Sequence, residues 1–273
     1  TGDTEEFTAT DGSDGSVSVK FDAPVSAAGD HEVIISDGVN SVPASFTITA
    51  SATMNPTSGN VGEVVTISGA GFGASRAVTI TYDDDVITAT LPITTGPDGS
   101  LSGSFTVPAS IGGDHAITVS DGVNTKQFTF VMETTKPAMP QQLLPYGQSK
   151  PEQPVAFDWA DVTDDSMPVI YSLQIATDTG YTNIVLEKTG LSDSEYTLTE
   201  EEELEPVSKD EPYLWRVRAT DAASNNSDWG PNGTFYIGGG WPGWLMWLWI
   251  GLGALVVAIF TFWLGRRIAF SSY

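Results

Sequence analysis

Residues 14–40, DGSVSVKFDAPVSAAGDHEVIISDGVN, return 84 residues later as DGSLSGSFTVPASIGGDHAITVSDGVN at 98–124, with fifteen of the 27 positions identical and no gap. A period this long marks a duplicated domain, not a short solenoid unit. The repeated segment reads as β-structure. Val33 and Ile35 alternate with Glu32, Ile34 and Ser36, and Ile117 and Val119 alternate with Ala116, Thr118 and Ser120. The face shared by Val33/Ile117 and Ile35/Val119 is apolar both times, which makes it the expected core face. Asp37-Gly38 and Asp121-Gly122 follow as hairpin turns, where glycine tolerates positive φ. Phe21 and Phe105 sit on a further strand that Pro24 and Pro108 would end or edge.

The second copy has a front half, Met54 to Thr95, with strands expected near 63–68, 76–82 and 86–93 between Gly- and Ser-rich turns. Short strands at this spacing predict a β-sandwich. The first copy lacks the equivalent residues, so 1–50 reads as the back half of a domain. Either a longer chain or a strand from a partner would complete it.

Pro56-Thr57-Ser58-Gly59, then Gly62, a strand, and Gly69-Ala70-Gly71-Phe72 resemble the opening of the IPT/TIG group of immunoglobulin-like domains. TVPASIGGDHAITVSDG resembles the closing strands of its prokaryotic members. Over about 54–132 this resemblance implies a seven-stranded sandwich used as a spacer or binding module. Beyond a Pro- and Gln-rich entry after Lys136 the texture changes. Phe157 and Trp159 share a face, as do Tyr171, Leu173 and Ile175; Tyr213, Trp215, Val217 and Ala219 form another, with Arg216 and Arg218 pointing the other way. With the Ser-Asp-Trp turn at 227–229, this stretch resembles a bacterial fibronectin type III domain over about 137–237. The expected domains are thus 1–50 (half sandwich), 51–133 (IPT/TIG-like), 134–238 (fibronectin type III-like), 239–265 (transmembrane) and 266–273 (short tail).

Trp244 to Leu264 carries no charge over 21 residues; as a helix it would span about 32 Å, close to a bilayer core of about 30 Å. Trp241, Trp244, Trp247, Trp249 and Trp263 fit an aromatic belt, and Arg266 and Arg267 after the run fit a cytoplasmic C-terminus. Gly251, Ala254 and Ala258 offer a small-residue face for helix packing. The fold class expected is therefore all-β, tandem immunoglobulin-like sandwiches followed by one C-terminal transmembrane α-helix. The expected location is the cell membrane, single-pass, with the N-terminus outside.

Chemistry is thin. There is no cysteine, so no disulfide and no thiolate metal site. The two histidines, His31 and His115, occupy the same repeat position, which suits a strand opening at a sandwich edge better than a triad or metalloprotease. No phosphate-binding glycine loop precedes a helix. Asp83, Asp84 and Asp85 in a hairpin turn are weak calcium ligand candidates, since the sequence has no twelve-residue calcium loop ending in glutamate. Calcium is the single cofactor left open. EEEEL at 200–204 reads as a solvated loop. The net charge of −24, 35 acids against 11 bases, repels nucleic acid. The expected partners are the lipid bilayer, other surface proteins and copies of the chain itself. Together these features predict a non-enzymatic prokaryotic cell-surface protein: a membrane-anchored stalk or surface-layer-type structural protein. The alternatives are a scaffold subunit of an extracellular membrane-bound enzyme complex, or an adhesin or carbohydrate-binding module, which exposed aromatic residues on a sandwich face would favour; Trp229 and Tyr181 are the positions that test it.

Overall fold

The structure is a computed structural model; it describes residues 15–87 and 93–238, together with Val256, Val257, Ile259 and Thr261. The chain divides into two compact units, Thr1–Thr135 with Ala222–Ser224, and Lys136–Asp221 with Asn225–Tyr273.

The first unit opens on an antiparallel hairpin of β1 (Gly29–Ser36) and β2 (Ser41–Ile48), in register from Gly29↔Ile48 to Ser36↔Ser41. Its turn is held by Asp37, whose Oδ1 accepts the N–H groups of Val39 and Asn40 at 2.8 and 2.5 Å. Gly38 supplies the positive φ of 87° expected there. Next come β3 (Ser51–Asn55), β4 (Ser58–Gly59), β5 (Val64–Ala70), β6 (Ala77–Tyr82), β7 (Asp85–Val86), β8 (Ile93–Thr94), β9 (Leu101–Thr106), β10 (Gly113–Ser120) and β11 (Thr125–Met132). One sheet runs β3-β5-β9; the other runs β4-β11-β10-β6-β7, with β8 also on β6.

Alternation decides which side chains meet between these sheets. Val65 and Ile67 of β5, Phe105 of β9, Ile117 and Val119 of β10, and Phe130 and Met132 of β11 are all buried into one cluster with Phe72. Each such side chain contributes about 1.5–3 kcal/mol when taken fully out of water. At Gly69 an added Cβ would lie 2.6 Å from the Ser51 carbonyl oxygen, so only glycine lets β3 and β5 approach as they do.

The first copy differs in one respect that the sequence pattern does not reveal. The strand expected around Phe21 does not form: residues 16–28 contain no strand. In the second copy the corresponding strand, β9, pairs with β5, which belongs to the front half. Alternation makes a segment competent for a sheet; a neighbour makes it a strand.

The second unit is built from β12 (Gln142–Leu144), β13 (Ala156–Trp159), β14 (Ile170–Ala176), β15 (Ile184–Leu191), β16 (Glu195–Thr197), a 3-10 turn at Glu200–Glu202, β17 (Tyr213–Thr220) and β18 (Gly233–Phe235). A three-stranded sheet, β12-β13-β16, faces a four-stranded one, β15-β14-β17-β18. The apolar faces read from the sequence converge here. Phe157, Trp159, Tyr171, Leu173, Ile175, Tyr213, Trp215, Val217 and Ala219 are buried in one cluster with Phe235. Phe157 meets Trp215 edge-on at 5.2 Å and Phe235 at 5.5 Å, and Trp159 meets Tyr171 at 5.4 Å, the T-shaped contacts that ring quadrupoles favour.

The expected C-terminal membrane anchor requires correction. Among the described residues no helix is long and apolar enough to cross a membrane. Within the apolar run Val256, Val257, Ile259 and Thr261 alone are described; they are helical, and Thr261 Oγ1 donates to the Val257 carbonyl at 2.9 Å. An uncharged run satisfies the length condition for a span, whereas a span needs an unbroken helix satisfying every backbone group. Among the described residues that geometry stands at four positions, and the expected single-pass location is withdrawn with the anchor. The belt residues Trp241, Trp244, Trp247, Trp249 and Trp263, the flanking Arg266 and Arg267, and Gly251, Ala254 and Ala258 lie outside the described residues.

Candidate functional site

In the first unit the polar side chains gather where the β6–β7 turn meets the start of β10. Asp83 and Asp84 take left-handed φ values of 50° and 73° to make the turn. Asp83 then uses both carboxylate oxygens on β10: Oδ2 lies 2.5 Å from His115 Nδ1, and Oδ1 accepts the Ala116 N–H at 2.9 Å. Desolvation raises the Asp83 carboxyl, but the hydrogen bonds from His115 and Ala116 outweigh it and hold the group below its ordinary range. His115 is 5% exposed and stacks on Tyr82 at 4.7 Å. Tyr82 and Ser110 share a hydroxyl–hydroxyl hydrogen bond of 2.8 Å.

Asp83, His115 and Ser110 stand in the sequence of contacts of a catalytic triad, yet the distances assign them another task. His115 Nε2 is 2.7 Å from the Ile111 carbonyl oxygen and 3.4 Å from Ser110 Oγ. A carbonyl only accepts, so Nε2 is a donor there and is no base for the serine. The cluster is a clasp that ties the front half of the sandwich to the back half. Asp84 and Asp85 are exposed, and among the described residues Asp83, Asp84 and Asp85 form no converging group of ligand oxygens. Asparagine at Asp83 is expected to cost this sandwich about 1–2 kcal/mol near neutral pH, a charge-assisted hydrogen bond discounted for half-exposure. A depressed carboxyl stabilises above its unfolded value, and that contribution is lost as pH falls through the folded one. The gap between wild type and D83N in urea unfolding therefore narrows in acid; a gap independent of pH would contradict the clasp.

The second unit carries a ladder on the outer face of its four-stranded sheet. Arg216 and Arg218, two apart on β17, point to the same side. The Arg216 guanidinium lies 3.8 Å over the Tyr181 ring and 4.3 Å over Trp229, and that of Arg218 lies 4.7 Å over Trp229. Gln174 Oε1 accepts from Arg216 Nε and Nη2 at 2.9 and 2.7 Å, while Gln174 Nε2 donates to Glu187. Tyr181 is 7% exposed, and desolvation pushes its phenol up to about 12, with Arg216 opposing. Of the two aromatic positions that bear on an adhesive surface, Tyr181 is buried, and Trp229, part-exposed, has two cations over its ring.

Sequence reading missed Glu202. In the acidic stretch read as solvated, its carboxylate pairs with Lys188, accepts the Tyr196 hydroxyl at 2.7 Å and accepts the Thr199 N–H at 3.1 Å. Lys188 also lies 5.3 Å over the Tyr196 ring. The signal that could have found it is Leu204 two residues on, buried in the core and fixing the loop to the sandwich. The Lys188 bond, ahead of Tyr196 and against desolvation, lowers Glu202 to about 2. Its contribution is full above the ordinary glutamate value and disappears as pH falls toward about 2. Acid unfolding of E202Q is expected to show a shallower loss of thermal stability between those limits than wild type. Superimposable pH profiles would show that the loop carries no such tie.

Residues 51–132 and the second unit each form a β-sandwich with a buried core, and the polar clusters found in them join strands to strands or loops. Residues 51–132 match the IPT/TIG domain family, an immunoglobulin-like fold, in agreement with the resemblance carried by Pro56–Gly59 and Gly69–Phe72. No curated protein matches the chain. Among solved structures, the Yersinia pseudotuberculosis adhesin InvE aligns at TM-score 0.38 and 11% identity, covering 68% of this chain and 58% of that one. A BSP domain of a biofilm-associated protein aligns at 0.24 and 15%, covering 71% and 30%. A gamma-CGTase from Alkalophilic bacillus clarkii aligns at 0.24 and 16%, covering 69% and 25%. The chain spans less than two thirds of each, and at these scores no functional statement follows.

Proposed function

We propose that this chain is a structural part of a cell-surface protein. Its β-sandwich modules carry and space what is joined to them and perform no catalysis of their own. The observation that carries this is the use to which the polar clusters are put: Asp83 with His115, Arg216 with Trp229, and Lys188 with Glu202 are each spent on bonds between strands or loops of one unit. The IPT/TIG match over 51–132 supports a module of spacer or binding type, and we infer a fibronectin type III-like module at 134–238 from its three-plus-four strand order and its Tyr213–Ala219 face. A surface with many more acids than bases suits a crowded outer environment, where it keeps modules soluble and apart.

Exposed aromatics on a sandwich face would favour the adhesin alternative; of the two positions that bear on it, Tyr181 is buried and Trp229 is part-exposed beneath Arg216 and Arg218. The test is labelling of intact source cells with a membrane-impermeant amine reagent. Exposed lysines such as Lys136, Lys150 and Lys209 are expected to be modified before lysis. Modification confined to lysed cells would overturn the surface assignment.

A further inference from the structure

The second unit holds two Asn-x-Ser/Thr triplets that the spacing role leaves unused, Asn225-Asn226-Ser227 and Asn232-Gly233-Thr234. Such a triplet is the acceptor pattern for N-linked glycosylation. It can serve where both the asparagine amide and the hydroxyl two residues on are within reach.

The first triplet is closed. Asn225 Nδ2 donates to Asp221 Oδ2 at 2.9 Å, and the Asn225 N–H donates to Asp221 Oδ1 at 2.8 Å. Thr220 Oγ1 donates to Asn226 Oδ1 at 2.8 Å, which folds the triplet back on the end of β17. Ser227 is 5% exposed. Its Oγ donates to the Asp228 carbonyl and accepts the Ala219 N–H, both at 2.9 Å, so the hydroxyl proton is already spent.

The second triplet is open. Asn232 is exposed on the short connection that runs into β18 from Gly230, whose N–H is fixed to the Val217 carbonyl at 2.8 Å. Among the described residues the Asn232 side chain makes no hydrogen bond, and its φ is not positive. Neither a cap nor a left-handed turn therefore accounts for asparagine at this position. Thr234 is part-exposed; its Oγ1 accepts the Gln148 N–H at 3.2 Å and keeps its own proton to donate. Gly233 between them has no side chain to cover the amide.

We propose that Asn232 is an N-glycosylation site and that Asn225 is not. The donor is an oligosaccharide carried on a lipid phosphate. Asn232 Nδ2 attacks C1 of the first sugar: the Nδ2–C1 bond forms and the C1–O bond to phosphate breaks. The lipid phosphate leaves with that electron pair and takes the proton that Nδ2 gives up. The site presupposes the cell-surface reading above, because this acceptor pattern is used in exported chains, and it adds to that reading a fixed point of glycan attachment.

Peptide mass spectrometry tests this on the full chain made in its source cells, wild type beside N232Q and N225Q, with the impermeant amine label applied to the same cells before lysis. A sugar mass increment is expected on the peptide holding Asn232, lost completely in N232Q and unchanged in N225Q. Thr234→Ala should lose it as well, and Thr234→Ser should keep it. A bare Asn232 on chains whose lysines were labelled before lysis would overturn the glycan site and leave the surface reading standing. A bare Asn232 with labelling confined to lysed cells would overturn both. An increment carried by Asn225 would overturn the assignment of open and closed triplets.

Discussion

Alanine at Trp215 is expected to destabilise the second sandwich by about 3–5 kcal/mol, the range for removing a large aromatic from a core. Trp215 is 0% exposed and central to its cluster. Its ring lies against Phe157, and its Nε1 donates to the Pro145 carbonyl at 3.2 Å. Across the sheet, a Cβ at Gly233 would stand 2.2 Å from that nitrogen, so β18 is fitted to the indole. The walls of the resulting cavity are rings and paired strands that collapse poorly. Domains are stable by about 5–15 kcal/mol in all, so much of the margin goes. W215F should recover part of the loss while leaving the Pro145 carbonyl without its donor. Urea unfolding followed by circular dichroism checks this; a cost of W215A below about 1 kcal/mol would contradict the packing described.

The second large effect comes with an internal control. Phe130 and Phe46 are repeat equivalents, yet Phe130 is 0% exposed while Phe46 is half-buried beside His31 at 5.6 Å. Phe130→Ala is expected to cost the sandwich of residues 51–132 about 3–5 kcal/mol, and Phe46→Ala in the same 273-residue chain about 1 kcal/mol or less. The residue type, the strand and the neighbouring sequence are closely matched, so the difference measures the cover supplied by the front half. Hydrogen exchange of β10–β11 and of β1–β2 in each variant reads it directly. Equal costs would mean that the two hairpins share one environment, contrary to their exposures.

What was legible in the sequence is what is local. The alternation Tyr213-Trp215-Val217-Ala219 names a buried face because side chains two apart share a side, and that face is buried. Asp37-Gly38 names a turn for a similarly local reason. The clasp was not legible, since Asp83 and His115 are 32 positions apart and meet through the pairing of β6 with β10. Glu202 was hidden by its own neighbours: four glutamates in a row read as solvated, and the sequence does not show which one Lys188 and Tyr196 will take. The strand expected around Phe21 has the same cause: its alternation is intact, and whether it pairs depends on residues distant in the sequence. The setting of Trp229 was not legible, because a lone tryptophan near a turn gives no sign of the two arginines over its ring.

A mechanical role stands or falls on how the modules answer force. The chain has no cysteine, so Thr49→Cys and Gly238→Cys would place two unique handles for optical-trap pulling. The account predicts discrete, separate unfolding steps, with residues 51–132 releasing roughly 28 nm of chain at about 3.4 Å per residue. Smooth extension without steps would contradict a load-bearing array of sandwiches.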